Sequence, residues 1–137
     1  NYSLGVNLFF KLNEQLAQMM NSQRGYDVSI DETHHTQKKD APSGTAITLA
    51  DSIIRAIDTK TKWVKSETQG PGDLVIHSFR EDPTPGTHIV RYQSRIDDIE
   101  IKHTAHSREG FALGAITVAE WLPGQKGVLS MDDFLKF

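Results

Sequence analysis

The sequence predicts an α+β domain, a four-stranded mixed sheet with helices on one face. Three observations carry that expectation. Two segments, 4–20 and 45–57, space apolar residues three and four apart, as helices with one buried side do. Four shorter segments, 28–34, 74–79, 87–94 and 99–104, alternate apolar and polar residues in the manner of half-buried strands. Breaker-rich turns, Glu81-Asp82-Pro83-Thr84-Pro85-Gly86 above all, separate the last three. At 137 residues the chain fits one such unit.

The first helix places Val6, Phe9, Phe10, Leu12, Leu16, Met19 and Met20 along its apolar side, and Gly25 is suited to a left-handed cap beyond its end. Asp27 to His34 alternates as a strand and runs directly into a charged stretch. Pro42 keeps Ala41 out of helical geometry, and Ser43 is placed to cap the second helix. That helix buries Ala46, Leu49, Ala50, Ile53, Ile54 and Ile57. The polar, glycine-punctuated segment 58–72 reads mostly as loop. Leu74–Phe79 and Thr87–Ser94 read as a hairpin with a long loop, and Asp97-Asp98 turns the chain into Ile99–Thr104. These three sequential strands are expected to be antiparallel. A last helix, 109–122, carries Phe111, Ala112, Ala115, Ile116, Ala119, Trp121 and Leu122 and stops at Pro123-Gly124. Residues 131–135 form a short terminal turn or helix. One helix pair covers one face of the sheet. The other face, expected to carry Arg91, Gln93 and Glu100, must meet solvent or another subunit.

Composition narrows the function classes. A net charge of −3 argues against a nucleic-acid or membrane-surface role. With 37% hydrophobic residues the chain can build a core, while a mean hydropathy of −0.44 keeps much of it wet. There is no cysteine, which rules out disulfides, thiolate zinc sites and a cysteine nucleophile and suits a reducing cytoplasm. No apolar run approaches the roughly 20 residues of a membrane-spanning helix. The opening Asn1-Tyr2-Ser3-Leu4-Gly5-Val6 looks like the inside of a protein, so a fragment lacking its N-terminal part is expected.

The chemistry concentrates between residues 32 and 46. His34 and His35 offer proton donors near neutral pH, and on an extended strand they face opposite sides. Lys38 and Lys39 offer fixed charge that can orient a carboxylate or polarise a C=N bond, and Lys38 is near enough to His34 in sequence to return to the same pocket. Ser43-Gly44-Thr45 opens a helix whose free N–H groups and dipole attract anions. Gly44 admits close approach, and the Thr45 hydroxyl and N–H can both hold a carboxylate. Together they read as a site that holds a small polyanion and gives it a proton. Two other readings stand beside it. His34, His35, His103 and His106 could serve a metal-dependent hydrolase, although the lysines would repel a dication. The motif could instead only shape a loop in a non-catalytic oligomerisation module. No nucleophile-elbow pattern surrounds any serine.

The stretch Glu32-Thr33-His34-His35-Thr36-Gln37-Lys38-Lys39-Asp40-Ala41-Pro42-Ser43-Gly44-Thr45-Ala46 closely resembles the signature of the dihydrodipicolinate reductase (4-hydroxy-tetrahydrodipicolinate reductase) family, E-x-H-H-x-x-K-x-D-A-P-S-G-T-A. Asn1 to Asn7, Arg80 with Gly86-Thr87-His88, and Ser107-Arg108 with Phe111 and the helix that carries Ala115, Ala119, Trp121 and Leu122 resemble further segments of it, so the likeness covers essentially the whole chain. The resemblance implies reduction of a cyclic, C=N-containing substrate of lysine and diaminopimelate biosynthesis by NADH or NADPH. It puts His34 and Lys38 at the catalytic positions, with no metal. His35, Gly44 and Thr45 fall on substrate-carboxylate positions, and Asn1, Tyr2, Arg108 and Phe111 near the cofactor. It implies residues 1–108 as a substrate-binding and oligomerisation domain of a cytoplasmic homotetramer. Residues 109–137 are then a helix and tail that pack on an N-terminal dinucleotide-binding domain absent here, so the chain alone is expected to bind a small dicarboxylate without turning it over. One departure is Asp82, where the family's hairpin usually has glycine.

Overall fold

In the computed structural model, which describes residues 1–65 and 70–137, the first apolar stripe folds as α1 (Leu4–Met20), capped by the Ser3 hydroxyl on the Val6 N–H. Its buried side runs through Val6, Phe9, Asn13, Ala17 and Met20. This corrects the expected stripe: Leu12 and Met19 are exposed, and Asn13 is buried because its amide donates to Leu49 O and Ser52 Oγ of the neighbouring helix. After β1 (Asp27–His34) comes α2 (Gly44–Ala56), capped by Ser43 on the Ala46 N–H and burying Ala46, Leu49, Ala50 and Ile53 as expected. The chain continues through β2 (Lys62–Val64), β3 (Asp73–Arg80), β4 (Gly86–Gln93), β5 (Asp98–Ala105), α3 (Glu109–Trp121) and α4 (Met131–Leu135).

The sheet has five strands in the order β2-β3-β1-β4-β5, not four. The extra strand, β2, lies in the segment read as mostly loop, and its three residues are too few to show alternation. The expected pairing of Leu74–Phe79 with Thr87–Ser94 is also corrected, because β1 lies between them, parallel to β3 and antiparallel to β4. The physical reason is α2. A parallel pair needs a crossover, and a helix between β1 and β3 supplies it. Central placement then buries Val28 and Ile30 beside Leu74, Ile76, Val90 and Tyr92, all on the side covered by α1 and α2. Only β4 and β5 form the expected antiparallel neighbours.

Alternation along the strands puts Asp31, His77, Phe79, Arg91, Gln93 and Glu100 on the face away from the helices. Arg91 pairs with Glu100 across the strands and lies 3.5 Å from Asp31, which bonds His77 at 2.7 Å. The three polar residues expected on this open face are on it. α3 differs from its expected apolar stripe. Gly114 and Val118 are its buried positions, because Gly114 lies directly against the Tyr2 carbonyl. Phe111, Leu113, Ile116 and Leu122 are exposed. Among the described residues no helix is long and apolar enough to cross a membrane.

Candidate active site

The register of three strands assembles the site. Parallel pairing sets Arg80 of β3 opposite His34 of β1, and antiparallel pairing sets His88 of β4 opposite Glu32. Val28, Ile30, Glu32 and His34 share one parity, so Glu32 and His34 continue the core side of β1 to its C-terminal end. Glu32 is fully buried, and an isolated carboxylate there would be costly. It is not isolated. His34 Nδ1 bonds its Oε2, and Arg80 donates Nη1 and Nη2 to its Oε1 at 3.1 and 3.0 Å. Burial pushes the Glu32 carboxyl up, but His34, the adjacent Ser78 hydroxyl and Arg80 outweigh it and hold the group down at about 2.

His88 meets the edge of the His34 ring with centroids 5.1 Å apart. Its Nε2 lies 2.9 Å from Ser43 Oγ, the same oxygen that caps α2. Burial first, then the neighbouring His34, pushes the His88 imidazole down to about 4, so it is neutral at physiological pH. Gly86 makes room for His34: a Cβ there would lie 3.1 Å from His34 Nε2. That ring nitrogen therefore faces a position where only glycine sits without displacing it.

Beside this cluster lies the N-terminus of α2. The Ala41–Pro42 peptide is cis. Ser43 accepts from Ala46 N and Ile47 N, and among the described residues no partner is found for the Gly44 and Thr45 N–H groups. They open onto a cleft of about 570 Å³ lined also by Asn1, Lys38 and, from the start of α4, Ser130, Met131 and Asp132. The Lys38 ammonium sits 2.9 Å from the Asp40 carboxylate, and Arg80 donates to the Lys38 and Asp40 carbonyls at 3.3 and 2.7 Å. Such an arrangement can hold an anion against a helix terminus and a lysine, with an imidazole anchored nearby.

The predicted residues divide accordingly. Asn1, Lys38, Gly44 and Thr45 line one cleft, and His34 belongs to the buried cluster that Ser43 joins to it. His35 is half-buried at the start of the turn whose Lys38 N–H it accepts. Tyr2, Arg108 and Phe111 are exposed, where residues 2 and 3 run along the start of α3. Glu32 and Ser43 have larger parts than their motif positions announced, and Arg80 and His88, distant from the motif in sequence, converge on it only through strand register. Asp82 accepts from Thr36 N and Oγ1 at 3.0 and 2.6 Å, so the hairpin loop is tied to the motif loop by a side chain. The four histidines of the alternative hydrolase reading do not come together among the described residues. Among the described residues, the group whose ligand atoms converge is Glu32, His34 and His88, and His103 instead packs on Phe9. Arg80 and His34 already occupy the Glu32 carboxylate, and the guanidinium beside it disfavours a dication.

The model of the family described as dihydrodipicolinate reductase, C-terminus, matches residues 5–135. The chain belongs to this family. A 4-hydroxy-tetrahydrodipicolinate reductase of Christiangramia forsetii is 51% identical over 135 residues, covering 98% of this chain and 56% of the relative. That of Methanosarcina barkeri is 46% identical over 138 residues, covering 98% and 51%. The chain thus spans about half the length of the curated relatives it matches. Its fold is similar to that of the dipicolinate-bound dihydrodipicolinate reductase from Paenisporosarcina sp. TG-14, with a TM-score of 0.73, 24% identity and coverage of 94% of this chain and 50% of that one. The arginine-bound Glu32 weighs against a metal-dependent hydrolase.

Proposed function

We propose that this chain is the substrate-binding half of a 4-hydroxy-tetrahydrodipicolinate reductase of lysine and diaminopimelate biosynthesis. The observation that carries the reading is the cleft where Lys38 meets the unpartnered N–H groups of Gly44 and Thr45, next to the anchored His34. A cyclic dicarboxylate fits that chemistry. One carboxylate takes the helix N-terminus and the Thr45 hydroxyl, Lys38 and His35 supply cationic and polar contacts, and His34, as an imidazolium, delivers a proton from Nε2 and is left neutral with its proton on Nδ1. NADH or NADPH, when bound, supplies the hydride to the conjugated double bond. Asn1, Tyr2, Arg108 and Phe111 would meet its nicotinamide end, and the exposure of Tyr2 and Phe111 beside each other's segments fits that use.

The same reading gives the remaining surfaces their partners. Residues 1–108 bind substrate, and the open sheet face, with its Asp31–His77–Arg91–Glu100 network, packs on other subunits in a cytoplasmic homotetramer. Residues 109–137 present Phe111, Leu113, Ile116 and Leu122 to a dinucleotide-binding domain. The chain alone does not turn over. The test is NAD(P)H oxidation by the chain joined to a dinucleotide-binding half. His34→Ala and Lys38→Ala are each expected to lower kcat by about 10²–10⁴-fold, the range of positioned proton transfer. Activity that survives both substitutions, or reduction by the 137-residue chain alone, contradicts the proposal.

A further inference from the structure

We infer that Glu32 and Arg80 are a positioning pair, which fixes the tautomer of His34 and the placement of the Lys38 loop at the same time; the inference rests on the functional reading above. A buried carboxylate on the core parity of a strand is an expensive choice where Val28 and Ile30 precede it. Its bonds show a specific use. Oε2 is taken by His34 Nδ1, and Oε1 by both terminal nitrogens of Arg80. An ionised carboxylate only accepts, so the neutral His34 ring must carry its proton on Nδ1. Nε2 is then the atom that takes up a proton, and the resulting imidazolium gives that proton up from Nε2, on the side where Gly86 clears the space, returning to the Nδ1–H form.

Arg80 adds the second half. Its Nε and Nη2 donate to the carbonyls of Lys38 and Asp40, at the foot of the lysine that lines the anion cleft. One planar guanidinium therefore holds the carboxylate behind His34 and the backbone under Lys38 in a fixed relation. The other groups around the pair are the Ser78 hydroxyl, neutral His88, the Lys38 ammonium and the Asp40 carboxylate. None of these bonds His34 Nδ1, so the tautomer rests on Glu32. A buried ion pair kept only for stability would leave proton delivery unchanged when its geometry is preserved. A positioning pair would not.

The experiment uses the complete reductase, ¹⁵N-labelled at histidine, with Glu32→Gln and Arg80→Lys. In the unsubstituted enzyme the neutral His34 imidazole is expected to show the Nδ1–H pattern. Glu32→Gln is expected to populate the Nε2–H form and to lower kcat by about 10²-fold or more, while the Kd for pyridine-2,6-dicarboxylate changes less than about threefold. Arg80→Lys keeps the charge but loses the fork, so it is expected to weaken that ligand about tenfold. An Nε2–H imidazole in the active unsubstituted enzyme overturns the inference, even where the Gln variant fails to fold. So does a Gln variant with kcat within about threefold of the parent. A complete protein without reductase activity overturns the functional reading instead, and the tautomer measurement tells the two failures apart.

Discussion

Replacing Glu32 with glutamine should change how the fold responds to acid. The Glu32 carboxyl titrates at about 2 in the folded chain against 4.5 for the free group, because the bonds from His34 and Arg80, with the Ser78 hydroxyl nearby, outweigh its burial. The folded state therefore binds this proton more weakly than the unfolded state. Its contribution is fully present above pH 4.5 and is lost as pH falls towards 2, and the span between the two values corresponds to about 3 kcal/mol at neutral pH. Roughly 2 kcal/mol of that disappears between pH 5 and pH 3. Glu32→Gln lacks this dependence. At pH 7 it is expected to be about 3 kcal/mol less stable than the parent, since it leaves the Arg80 guanidinium without its carboxylate. Urea unfolding followed by circular dichroism at pH 7, 5, 4 and 3 reads both chains. The gap between them should close by about 2 kcal/mol below pH 5, and acid losses from other groups, common to both, cancel in the comparison. A gap constant to within about 0.5 kcal/mol would refute an ionised, bonded Glu32.

His88 gives a second acid response at higher pH. Its imidazole sits at about 4, against 6.5 for the free group, so the neutral ring stabilises the fold above pH 6.5 and loses that contribution as pH falls. About 2 kcal/mol should go between pH 8 and pH 5 in the parent and be missing from the slope of His88→Gln, as measured by urea unfolding. Gly86→Ala places a methyl 3.1 Å from His34 Nε2. It should cost about 1–3 kcal/mol in unfolding measurements and lower kcat of the complete reductase by about tenfold or more, since the ring must give way. On the open sheet face, Arg91→Ala removes the bonds to Glu100 and Asp31, and sedimentation should show weaker self-association than the parent at equal concentration.

Much of the fold is legible in the sequence where the periodicity is long. α2 shows its buried side because Ala46, Leu49, Ala50 and Ile53 keep one phase, and β1, β4 and β5 alternate over eight residues each. α1 misleads because a buried asparagine and an alanine hold its true centre, while Leu12 and Met19 are apolar residues left outside. β2 is too short to carry a period, and the insertion of β1 between β3 and β4 is a long-range event that local turn signals do not encode. The site divides in the same way. His34, Lys38, Gly44 and Thr45 stand together in one stretch of chain, whereas the burial of Glu32 shows only in the structure. Arg80 and His88 join them only through register, which depends on the whole sheet.

On the proposed function, the start of α2 and Lys38 together hold a dicarboxylate. Titration calorimetry of pyridine-2,6-dicarboxylate into this chain tests it most directly, with Lys38→Ala and Thr45→Ala in parallel. Saturable binding to the parent and at least about tenfold weaker binding to each variant are expected, as follows from losing a charge-assisted contact. Unchanged affinity in both variants, or no binding by the parent, would contradict it.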